Sequence, residues 1–196
     1  MAPRNASKNA EIRKETMKKI SEAAFSLIAE QGFEATSISQ IAKEAGISKG
    51  LLYNYYESKE QLLGVLVNNA FSHGDEVVAS ILDSDPLVVM KNLIHWFFKE
   101  MREHPDSWRL ITEVTLKIDK YKFVHDLAVQ KMQGYLDLMQ SLFQQLGYDD
   151  PLGEARLLAA IFDGVGIEVL VLQRDFPLDE MEKIMIERYC ERKPKR

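Results

Sequence analysis

An all-α fold is predicted for this chain of 196 residues from three observations. Nearly every periodic segment repeats its apolar residues with a helical period. The prolines Pro86, Pro105, Pro151 and Pro177 fall between those segments. No stretch alternates apolar and polar residues cleanly enough to make a strand. About nine helices result.

The first runs from about Asn9 to Gln31, with Ile20, Ala24, Leu27 and Ile28 on one face, and Gly32 ends it in the usual way. Ser37 and Gln40 have capping-box spacing, so a short helix starts there and stops at Gly46. Ser48 caps the next, from Lys49 to about Tyr56. Ser58 and Gln61 repeat the capping-box spacing and open a helix to about Leu82. Five more helices are expected near 85–103, 107–117, 121–146, 152–174 and 178–191, and the closing "ERKPKR" reads as a basic tail. No Pro- or Gly-rich linker appears, so a soft domain boundary is placed inside the Ser58–Leu82 helix, dividing 9–66 from 67–192.

Hydrophobic residues make up 46% of the chain, enough for a core of useful size. The net charge of −5 hides an asymmetry: residues 1–19 hold six basic and two acidic side chains, a local +4. That pattern suits an anionic partner or a solvated basic arm. Cys190 is the sole cysteine, which excludes an internal disulfide and fits a reducing, cytoplasmic setting. The N-terminus lacks the apolar run of a signal peptide, and "GVGIEVLVL" is too short to span a bilayer. His73, His95, His104 and His125 show no i+3 or i+4 pairing, so no metal or other cofactor is expected. No nucleophile motif is present either, and no enzyme is expected.

The two short helices flanking "AGIS" have the form of a helix-turn-helix, with Gly46 supplying the freedom the turn needs. Ile41, Ala42 and Ala45 face the small core from the first helix, and Ile47, Leu52 and Tyr56 from the second. Lys49, Gly50, Leu51, Tyr53, Asn54 and Tyr55 then point outward or sideways. Two tyrosines, a leucine and an asparagine suit a DNA groove better than water.

From about Arg13 to Leu66, and most closely over "AAFSLIAEQGFEATSISQIAKEAGISKGLLYNYYESKEQLL", the sequence resembles the TetR family of transcriptional regulators. The resemblance implies a homodimer on a palindromic double-stranded operator, acting as a repressor released by a small effector. It implies phosphate contacts from Thr36, Ser37, Tyr53, Tyr55 and Lys59. Lys49 can donate to guanine, and Asn54 can read adenine. Gly50 admits the backbone closely. Leu51, where many relatives carry Thr or Ser, offers only apolar contact to a thymine methyl.

The second domain, by the same resemblance, binds the effector and dimerises. Phe97, Met101, Trp108, Tyr135, Met139 and Phe162 are the candidate pocket residues, suiting an apolar or aromatic effector. Ala159, Phe162, Asp163, Gly166, Val169, Leu170, Met185 and Ile186 are the candidate dimer contacts. Two glycines inside one helix, Gly164 and Gly166, fit close approach by another helix. The alternative is a second domain that recruits a protein partner instead of a metabolite.

Overall fold

The computed structural model describes residues 3–81, 85–115 and 122–191. The expected helix limits at Leu82, 117 and 121, residue 192 and the "KPKR" tail lie outside them. Among the described residues there are nine α-helices and no strand. They are α1 (Pro3–Gln31), α2 (Ile38–Glu44), α3 (Lys49–Tyr53), α4 (Lys59–Ile81), α5 (Pro86–Glu103), α6 (Pro105–Thr115), α7 (Lys122–Gln145), α8 (Pro151–Leu172) and α9 (Leu178–Ile186). A 3₁₀ turn, Gln173–Asp175, follows α8, and a π-helical turn, Glu187–Glu191, follows α9.

Local chemistry explains the boundaries. Gly32 and Gly46 adopt positive φ, 81° and 69°, closing α1 and forming the turn after α2. Ser37 accepts from the Gln40 N–H at 3.2 Å, while the Gln40 side chain accepts from the Ser37 N–H at 2.8 Å. Ser48 caps α3 by accepting from the Leu51 N–H at 3.1 Å. The box at Ser58 is modified: Ser58 accepts from Gln61, but the Gln61 side chain reaches back to the Glu57 N–H. Pro86, Pro105 and Pro151 each occupy a first helical position, where the missing N–H costs nothing. That moves the start of α6 from the expected 107 to Pro105.

Two helices end earlier than expected. α3 stops at Tyr53, with Asn54 as its C-cap. After Ile186 the chain widens into the π turn, which places buried Tyr189 edge-on to Phe143, with centroids 5.8 Å apart.

Packing divides the chain into two units, 1–69 and 70–196, and the division falls inside α4. The first unit buries Ile20, Ala24 and Ile28 of α1 with Ile41, Leu52, Tyr56 and Leu63. Ala45 and Ile47, expected in that core, are only half-buried, because Ala45 is the C-cap of α2 and Ile47 lies in the turn. The core of the second unit is built from α5, α7, α8 and α9, around Met90, Ile94, Phe98, Phe143, Leu158 and Met185.

Candidate nucleic-acid interface

α3 divides sharply into a buried and an exposed face. Leu52 is fully buried and Tyr56, just beyond the helix, is 2% exposed. Lys49, Gly50 and Asn54 are exposed, as are Leu51 at 38% and Tyr53 at 47%. Tyr55 is half-buried, its ring covered by the Arg13 guanidinium at 4.9 Å. A β-carbon added at Gly50 would meet nothing within 4 Å, so the glycine is not required by packing inside the chain.

Two of the expected phosphate contacts need correction. The Thr36 side chain is buried, 1% exposed. Its hydroxyl donates to the Gly32 carbonyl at 2.8 Å and accepts from the Gln31 amide at 3.2 Å. It closes the loop between α1 and α2 and has no face toward solvent. Lys59 is likewise turned inward. Its Nζ donates to the Phe33 carbonyl at 2.9 Å and the Thr36 carbonyl at 3.0 Å, and lies 4.2 Å from the centroid of the Phe33 ring. It pins the start of α4 to the α1–α2 loop. Ser37 is exposed, but its hydroxyl hydrogen-bonds the Gln40 side chain at 2.7 Å and serves the cap.

Lys59→Met would leave the Phe33 and Thr36 carbonyls without this donor. We expect a loss of about 1–3 kcal/mol in the stability of the head. Thermal melts and amide exchange at Phe33–Thr36 read this, and an unchanged melt would restore Lys59 to a purely external role.

In the second unit, the candidate pocket residues do converge. Phe97, Met101, Met139 and Phe162 are buried in one core cluster, with Trp108 and Tyr135 packed against it. Phe97 stacks on Phe162 at 4.2 Å and meets Trp108 edge-on at 5.7 Å. Tyr135 donates to Asp75 at 3.0 Å, and Asp75 also pairs with Lys131. Burial first, and then the Asp75 charge, push the Tyr135 phenol well above its usual range. The indole N–H groups of Trp96 and Trp108 are buried without a hydrogen-bond partner among the described residues.

Four of the eight candidate dimer residues turn inward. Phe162, Gly166, Val169 and Met185 are buried inside their own chain. Gly166 is needed by Trp108: a β-carbon there would lie 2.8 Å from indole Cδ1 and closer still to Nε1 and Cε2. Ala159, Leu170 and Ile186 are half-buried, and Asp163 alone of the set is exposed. The reason is that α8 is apolar on two opposite faces. Its inner stripe is Ala155, Leu158, Phe162, Val165 and Val169. Two residues on, about 200° around the helix, lies an exposed stripe of Leu157, Ala160, Gly164, Ile167 and Val171. Gly164 has open space where a β-carbon would go.

Sequence reasoning also missed a surface cleft of about 340 Å³ lined from α5 and α9, including His95, Glu182, Lys183 and Ile186. Glu182 anchors it, accepting from Arg102 and lying 2.6 Å from His95 Nδ1. Nothing in the one-dimensional spacing of these residues announces the arrangement.

The geometry thus defines a helix-turn-helix head followed by an all-α second unit. The family model for bacterial regulatory proteins of the tetR family matches residues 20–66. Among curated relatives, the HTH-type transcriptional regulator YuxN of Bacillus subtilis (strain 168) is 35% identical over 98 residues, covering 47% of this chain and 33% of YuxN. The chain therefore spans about a third of that relative's length. The solved structure of a TetR transcription regulator from Haloarcula marismortui superposes with a TM-score of 0.79 at 18% identity, covering 90% of this chain and 97% of that one. A transcriptional regulator from Saccharomonospora viridis in complex with choline gives 0.78 at 22% identity, with the same coverages. Residues 20–66 therefore carry the helix-turn-helix head of the TetR type, and the chain as a whole shares the fold of these solved structures.

Proposed function

We propose that this protein is a homodimeric repressor that reads a palindromic operator through α3 and releases it when a small effector binds the second unit. The observation that carries the reading is the outward face of α3. Lys49, Gly50, Leu51, Tyr53 and Asn54 are presented together on a helix whose opposite face is sealed by Leu52. Tyr53 and Tyr55 would position the head on phosphates, while Lys49, Leu51 and Asn54 would meet base edges. Ser37 would bring a further phosphate contact at the start of α2.

Dimerisation is supported by the exposed stripe on α8. Leu157, Ala160, Gly164, Ile167 and Val171 repeat with alternating spacings of three and four, the seam pattern of paired helices. Ala160 and Gly164 would allow the partner helix to come close. Two heads on one DNA face then imply half-sites about 34 Å apart, or a multiple of that distance. Operator and effector would each favour a different separation of the heads, so each would weaken the other's binding. The Phe97–Trp108–Phe162 cluster suits an apolar or aromatic effector.

Tyr53→Ala removes an exposed side chain, so stability should change by less than about 0.5 kcal/mol. Operator affinity should fall about tenfold or more, the worth of one charge-assisted hydrogen bond. Gly50→Ala should weaken operator binding while stabilising α3 by up to about 1 kcal/mol. Fluorescence anisotropy on the selected duplex, beside thermal melts, measures both. Unchanged affinity in both variants would remove α3 from the interface.

A further inference from the structure

Helix α1 begins well before the head needs it. Every residue from Lys8 to Glu15 is exposed, and from Lys8 onward Ile20 is the first buried one. These exposed turns contribute no buried side chain to the head core. Their charges are also unevenly satisfied. Lys18 pairs with Glu22 at 3.6 Å and Lys19 with Glu15 at 2.9 Å. Lys8, Arg13 and Lys14 have no carboxylate within ion-pair distance among the described residues.

Arg13 is the informative member. It lies seven residues before Ile20, two turns along the same stripe, on the side of the helix that faces the head. An apolar side chain there would extend the core. Instead an exposed guanidinium lies over the Tyr55 ring at 4.9 Å, immediately after the C-cap of α3. A cation–π contact of this kind uses none of the five guanidinium N–H groups as a conventional hydrogen-bond donor. That arrangement holds a bidentate donor beside the recognition helix without spending any of its donors. Lys8 and Lys14 add positive potential along the same free turns, with Glu11 the one unpaired acid among them.

We infer that Arg13 is a further DNA contact, a clamp on a backbone phosphate beside the segment read by α3, with Tyr55 as its platform. The inference rests on the DNA-binding reading above. It gives the basic N-terminal arm a specific task in place of simple solvation.

The test is a salt titration of binding to the duplex that the wild-type protein enriches from a randomised pool. Arg13→Gln, Arg13→Lys and Lys122→Gln are compared with wild type. Lys122 is an exposed lysine in the second unit and controls for net charge. Each lost phosphate contact lowers the slope of log affinity against log salt by about 0.9, so two copies per dimer predict a fall of about 2 for Arg13→Gln. Arg13→Lys should keep most of the slope, and Lys122→Gln should keep all of it. An Arg13→Gln slope equal to wild type overturns the inference, even if affinity falls, because a purely structural role would leave the slope unchanged. A fall matched by Lys122→Gln overturns it too. A wild type that enriches no duplex overturns the DNA reading together with this inference.

Discussion

Gly166→Val is expected to lower the stability of the second unit by about 3 kcal/mol, the upper range for overpacking a closed core. The position is helical, so an alanine or valine would ordinarily be favoured over glycine. Here the Trp108 indole occupies the place of the side chain. Trp108 in turn meets Phe97, which stacks on Phe162. Moving the indole therefore disturbs an aromatic cluster drawn from α5, α6 and α8. Gly134→Ala in α7 is the matched contrast. Gly134 is exposed with open space around it, and the substitution should gain up to about 1 kcal/mol. Urea unfolding followed by tryptophan fluorescence compares the two. A Gly166→Val protein as stable as wild type would mean that Trp108 does not sit against α8.

If the proposed dimer forms through the outer stripe of α8, Ile167→Glu is expected to leave a monomer at micromolar concentration with helicity unchanged. Ile167 is 50% exposed in the single chain, so the substitution removes little of the chain's own packing. In a two-fold dimer the same residue stands on both subunits of a self-complementary patch. Two carboxylates would then face each other in the seam formed by Leu157, Ala160, Gly164 and Val171. Burying an unpaired charge in such a seam is strongly unfavourable. Met132→Glu, at an exposed position on α7, should remain dimeric and controls for added charge. Sedimentation equilibrium reads both variants. A dimeric Ile167→Glu would place the interface elsewhere, and a monomeric wild type would dismiss the dimer altogether.

What could be read from the sequence divides by the range of the interaction. The Ser37–Gln40 box, the Gly46 turn and the Ser48 cap are settled within four residues, and each was legible as spacing. The inward turn of Lys59 was not, because its acceptors lie 23 and 26 residues earlier. In one dimension a lysine at a helix start looks like a phosphate contact. Thr36 departs from that division: its partners lie only four and five residues back, but a threonine ahead of a helix start reads equally well as a phosphate contact, and its burial is decided by how the α1–α2 loop closes. In α8 the periodicity was visible but ambiguous. Two apolar stripes lie on opposite faces, and only the packing of α5, α6 and α7 decides which one is covered. Gly166 could be seen as a close approach, but the approaching group is an indole of the same chain.

We propose that α3 reads a two-fold symmetric DNA site. Selection of bound duplexes from a fully randomised pool tests it most directly, with wild type run beside a Lys49→Ala, Tyr53→Ala double variant. Both substituted residues are exposed, so the variant keeps its fold. The wild type, stripped of small molecules by denaturation and refolding, should enrich a palindrome with half-sites about one helical turn or a multiple apart, and the double variant should not. Enrichment of no sequence by the refolded wild type, or equal enrichment by the variant, would contradict it.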